Sequence, residues 1–159
     1  MSDSLNYYLE QSKMSTSPEL ILKNLYLSEL VNLSSFIWIT ELDLSNNNLC
    51  ELDRTCLPPM LEILDLHNND IRNICSEDIP NSLRMLILSN NLISEFDGSS
   101  LVNLTKLTLD KNMMKSFVFP PNIKNLDIST NEIDELGDFP KSLRTIDCRN
   151  NRLVFLDHI

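Results

Sequence analysis

Apolar residues recur along most of the chain at a fixed spacing. Units begin at Ile39, Leu61, Leu83, Leu104, Ile123 and Leu143, which lie 22, 22, 21, 19 and 20 residues apart. With the first residue of each unit as position 0, positions 0, 3, 5, 10 and 13 are apolar in all six. Apolar residues at 3 and 5 around a free position 4 give the period of two that predicts a short strand. A unit of this size cannot bury its apolar face alone, so the units must stack and share one continuous core. The same length leaves little room for a helix opposite the strand. Pro58, Pro80, Pro120 and Pro140 each stand three residues before the next unit. Proline fixes φ and removes a donor, which favours extended or 3-10 backbone in the return segments.

Position 8 is asparagine in every unit: Asn47, Asn69, Asn91, Asn112, Asn131 and Asn151. After the strand the chain turns sharply and strands buried backbone N–H and C=O groups without ladder partners. An inward amide carries both donors and an acceptor, so it can bridge such groups between adjacent turns. The reading is a structural Asn ladder.

On this skeleton and its asparagines the chain resembles the leucine-rich-repeat family over residues 39–159, about three quarters of its length. The resemblance implies an α/β fold: a leucine-rich-repeat right-handed solenoid with a concave parallel β-sheet and an extended or 3-10 convex side. The P-x-x-L-x-x-L spacing is similar to the short repeats of bacterial effector proteins and some viral ones.

The ends break the pattern. Residues 1–17 carry no period and read as a flexible N-terminal tail. Residues 18–38 read as an N-terminal cap or a degenerate repeat. Ser17 followed by Pro18 is a helix-start signal, whereas Leu22, Leu25 and Leu27 fit positions 0, 3 and 5 of a further unit with Leu30 at position 8. Residues 39–159 hold the six repeats. Leu153, Phe155, Leu156 and Ile159 would leave an apolar end and an open strand edge. That end suggests a natural truncation with a tolerated open end, a homodimer through the uncapped C-terminus, or a covering partner.

Composition narrows the function. Lys and Arg number 13 against 23 Asp and Glu, for a formal charge of −10. Such a field repels phosphates, so neither nucleic acid nor an anionic membrane is expected as partner. The two glycines, Gly98 and Gly137, form no phosphate-binding loop. The polar N-terminus, with no apolar run long enough to span a bilayer, points to a cytoplasmic or host-intracellular protein. The four cysteines read as reduced thiols. Cys50, Cys56 and Cys75 lie in neighbouring return segments but lack the four ligands and CxxC spacing of a zinc site, and Cys148 fills a leucine position. No metal or cofactor is expected.

Strand alternation puts positions 2, 4 and 6 on the concave face. There Ile63, Met85 and Ile87 form an apolar centre, with Asp43, Asp65, Asp127 and Asp147 around it and His67 and Thr108 adjacent. An apolar centre with a charged rim is the layout of a protein-binding patch. Asp43 and Asp65 would lie side by side on adjacent strands, which favours a partner bearing Lys or Arg. Asp65 and His67 share a face, which could orient an imidazole, but no cysteine lies near them and His158 is terminal, so an enzyme is not expected. The reading is a non-catalytic module that binds a protein or peptide. The alternatives are a substrate-recognition component of a larger enzyme assembly and a host-targeted effector or viral protein.

Overall fold

The computed structural model describes residues 3–154. A helix, α1 (Asp3–Met14), precedes nine three-residue strands. These are β1 (Glu19–Ile21), β2 (Glu41–Asp43), β3 (Ile63–Asp65), β4 (Met85–Ile87), β5 (Glu95–Asp97), β6 (Lys106–Thr108), β7 (Ser116–Val118), β8 (Asn125–Asp127) and β9 (Thr145–Asp147). One seven-stranded parallel sheet runs β1-β2-β3-β4-β6-β8-β9, and β5 pairs with β7 in a second, two-stranded parallel sheet. The chain is a solenoid: each turn lays one strand on the large sheet and returns along the opposite side.

Each strand is short because only its middle residue, at position 3, points inward. Leu20, Leu42, Leu64, Leu86, Leu107, Leu126 and Ile146 stand in register on successive strands. All but Ile146 are buried, and the residues at position 5 continue the same core. The return side is extended or 3-10, without α-helix among the described residues. The two 22-residue turns carry 3-10 segments, Arg54–Cys56 and Ser76–Asp78, and the next two turns carry β5 and β7 instead. There Phe96 and Phe117 stack with centroids 5.9 Å apart, and Phe119 and Phe139 continue the column edge-on at 5.1 and 5.5 Å. A tight turn opens several repeats, in which Pro80, Leu101, Pro120 and Pro140 each accept a hydrogen bond from the N–H three residues on.

The N-terminal region departs from the expectation in two ways. Residues 3–14 are helical rather than a flexible tail, and Leu5 is buried in the common core with Leu9 packed partly against it. The polar composition around these two leucines hid the helix. Residues 18–38 hold a degenerate repeat and not a helix, but in a different register. Leu20 pairs with Leu42, which makes Leu20 position 3, Leu22 position 5, Leu25 position 8 and Leu27 position 10. Leucine is so abundant here that two phases fit the spacing equally well, and strand pairing selects one. Phe155, Leu156, His158 and Ile159, with the apolar end built on them, lie outside the described residues.

Candidate functional site

The asparagine at position 8 ties each turn of the solenoid to the one before. Asn91 Nδ2 donates to Leu66 O of the preceding turn (3.0 Å) and to Leu88 O of its own (3.1 Å), and its Oδ1 accepts from Ile71 N–H (3.0 Å). Asn69, Asn112, Asn131 and Asn151 repeat this arrangement. Asn47 does the same toward the N-terminal repeat, where its Oδ1 accepts from both Leu25 and Leu27 N–H. Five of the six are buried and Asn151 is half-buried. The five buried amides therefore satisfy backbone groups that water cannot reach.

A second ladder escaped the sequence reading. The residue before each inward asparagine has positive φ, between 54° and 57° in Asn46, Asn68, Asn90, Lys111, Thr130 and Asn150. Asparagine tolerates this left-handed backbone better than most residues. At the surface Asn68 Nδ2 donates to Asn46 Oδ1 (2.7 Å) and Asn90 Nδ2 to Asn68 Oδ1 (2.5 Å). The Asn-Asn pairs at 46–47, 68–69, 90–91 and 150–151 were the available signal.

The concave face carries two rows in strict register. Position 2 reads Glu19, Glu41, Ile63, Met85, Lys106, Asn125 and Thr145, and position 4 reads Ile21, Asp43, Asp65, Ile87, Thr108, Asp127 and Asp147. Ile63 and Met85 are direct neighbours, and Ile87 shares β4 with Met85. All three are half-buried, so each leaves part of its apolar surface to solvent. Ile21, 41% exposed, adds a further apolar point at the N-terminal edge. It went unnoticed because the alternative register hid its place in the row.

The aspartates have local work that the sequence did not reveal. Asp43 Oδ1 accepts from Ser45 N–H (2.9 Å) and Oγ–H (2.6 Å), Asp65 Oδ1 from His67 N–H (3.0 Å), Asp127 Oδ1 from Ser129 N–H (3.0 Å) and Asp147 Oδ1 from Arg149 N–H (3.1 Å). Each carboxylate closes the turn that ends its own strand. Asp43 and Asp65 do stand side by side, but side-chain nitrogens of the chain already approach them. Lys23 Nζ lies 3.6 Å from Asp43, and His67 Nδ1 lies 2.8 Å from Asp65. The Arg149 guanidinium, hydrogen-bonded to Asp147 at 2.6 Å, holds that carboxyl below the usual carboxylate range and is itself raised in return. Thr108 lies between Ile87 and Asp127 in its row, and its Oγ1 meets Ser89 Oγ at 3.2 Å. Among the described residues no group of His, Cys, Asp and Glu is placed to hold a metal ion, and the cysteines are unbridged. No helix among them is long and apolar enough to cross a membrane.

Inward leucines, one asparagine per turn and a parallel strand per turn define the class, and the Leucine Rich Repeat family model matches residues 38–60 and 60–82. The chain is a leucine-rich-repeat protein. It is similar to YopM from Yersinia enterocolitica WA-314, at 35% identity and a TM-score of 0.66 over 75% of this chain and 26% of that one. The leucine-rich effector protein YopM from Yersinia pestis matches at 29% identity and a TM-score of 0.75, over 86% of this chain and 37% of that one. A Shigella effector leucine-rich-repeat domain matches at 27% identity and a TM-score of 0.63, covering 95% and 77%. The chain thus spans well under half the length of the two YopM chains. No curated protein matches it significantly.

Proposed function

We propose that this protein is a non-catalytic interaction module that binds a protein or peptide on its concave sheet. The observation that carries this reading is the apolar centre of Ile63, Met85 and Ile87 on a strand face that is otherwise polar apart from Ile21 at its N-terminal edge. The amide ladder fixes that face in advance, so little conformational entropy is lost on binding. Seven strands about 4.8 Å apart and three residues long give a face of roughly 34 by 10 Å, about 340 Å². That is below the roughly 800 Å² per partner of a standard protein interface, and it suits a single segment lying across the strands. Such a segment places an apolar side chain at the centre and donors near Asp43, Asp65, His67, Thr108, Asp127 and Asp147. Because Lys23, His67 and Arg149 already serve three of these carboxylates, the apolar centre, more than a basic group, sets the affinity.

The likeness to Yersinia and Shigella effectors favours a second reading, in which the module acts as an effector and recruits its target inside a host cell. The test of the main reading is affinity capture with the wild type beside an Ile63→Lys/Ile87→Lys variant. The variant should keep its circular dichroism spectrum and lose the captured protein. A variant that folds and captures the same protein in the same amount contradicts the concave-face reading.

A further inference from the structure

Charge is segregated along the leading flank of the large sheet, where each turn enters its strand. In the turns that lead to β4, β6, β8 and β9 this flank is made of residues 81–85, 102–106, 121–125 and 141–145. These stretches hold Arg84, Lys106, Lys124, Lys141 and Arg144 and no Asp or Glu, in a chain with 23 acidic residues against 13 basic. The matching stretches of the preceding turns, 15–19, 37–41 and 59–63, hold Glu19, Glu41 and Glu62 and no Lys or Arg.

The five basic residues are exposed. Arg84 Nε lies 3.5 Å from Glu62, and the other four make no ion pair among the described residues. The backbone holds them together. Thr105 and Lys106 N–H donate to Arg84 O (2.9 and 3.0 Å), Lys124 N–H to Thr105 O (2.9 Å) and Arg144 N–H to Lys124 O (2.8 Å). Arg84, Thr105, Lys124 and Arg144 therefore form one row about 14 Å long, at three strand spacings. Like charges in such a row repel unless an opposite charge joins them. Beside the row runs a groove of about 510 Å³ lined by Ser82, Arg84, Asn103, Thr105, Asn122 and Lys124, with Glu62 at its N-terminal end. Its walls are tied down, since Asn103 Nδ2 donates to Asn81 O and Asn122 Nδ2 to Val102 O, both at 2.8 Å.

We propose that this flank binds an acidic peptide segment of a partner protein. The row is long enough for three or four carboxylates and ends at Glu62, with Glu41 and Glu19 on the adjoining row of the same flank. A longer polyanion such as a nucleic acid would run onto those carboxylates and into the net negative field of the molecule. A short run of Asp or Glu ends where the cations end. The flank lies beside the apolar centre of the concave face and uses different side chains.

The probe is fluorescein-labelled hexaglutamate, followed by fluorescence anisotropy at low salt on the whole chain. Saturable binding is expected, weakening as NaCl is raised. Lys124→Glu/Arg144→Glu should weaken it by at least about tenfold, and the neutral Lys124→Gln/Arg144→Gln by a smaller factor, while Lys115→Glu, in a return segment, changes it less than about twofold. The neutral pair decides the matter if the charge-reversed pair does not fold. The proposal is overturned by an absence of saturable binding, by equal loss in Lys115→Glu, or by tighter binding of a decauridylate through the same residues.

Discussion

At the scale of single residues, three positions of the turn do separate jobs. The asparagine at position 8 feeds buried backbone, its neighbour at position 7 adopts the left-handed backbone that the turn requires, and the aspartate at position 4, where present, closes the strand. The repetition of asparagine made the first job legible in the sequence. The other two were not, because a single Asp or Asn in a polar turn looks like solvated surface until its hydrogen-bond partner is seen. Asn91→Ala removes two donors and one acceptor from buried partners. It should cost about 1–3 kcal/mol, read as a lower urea midpoint at unchanged slope. Exposed carboxylates contribute too. Side-chain hydrogen bonds from Thr55 and Ser99 hold Asp53 and Asp97 below the usual carboxylate range. A lowered folded-state pKa stabilises above the unfolded value and is lost as pH falls through the folded one. An Asp53→Asn/Asp97→Asn variant should thus unfold at lower urea than the wild type near neutral pH. The gap should close below the carboxylate range, and a constant gap would show that charge plays no part.

At the scale of elements, the inward face of each repeat follows from the apolar skeleton, and the return side follows from repeat length and local packing. Pro58, Pro80 and Pro120 announced the absence of helix but could not say which turns pair. The β5–β7 sheet depends on a close approach seen only in the fold. A Cβ added at Gly98 would lie 2.6 Å from Pro120 Cγ and 2.9 Å from its backbone nitrogen. Gly98→Ala should therefore destabilise by about 1–3 kcal/mol through overpacking, measured by thermal or chemical denaturation. The helix α1 makes an opposite point. Its sequence, DSLNYYLEQSKM, has two leucines in a polar setting, and only the fold gives Leu5 a place in the core. Leu5→Ala should cost about 2–5 kcal/mol, as for a fully buried leucine, whereas a mutation in a solvated tail would leave the denaturation midpoint where it was.

At the scale of the whole molecule, the seven-stranded sheet is a preformed surface whose leading flank changes from carboxylates beside β1, β2 and β3 to cations beside β4, β6, β8 and β9. The concave rows were legible because strand alternation assigns faces from spacing alone. The charged flank was not, since Arg84, Lys124 and Arg144 are far apart in sequence and meet only when the turns stack. The net charge of −10 concealed it further. The same stacking makes the surface rigid, and it rests on inward amides bridging each turn to the one before. Amide hydrogen exchange in Asn91→Ala reads that bridge directly. Ile71 N–H, which donates to Asn91 Oδ1 at 3.0 Å, should lose protection relative to the wild type far more than Leu49 and Met114, whose acceptors on Asn69 and Asn131 are intact. Unchanged protection at Ile71, or an equal loss at all three amides, would contradict the account.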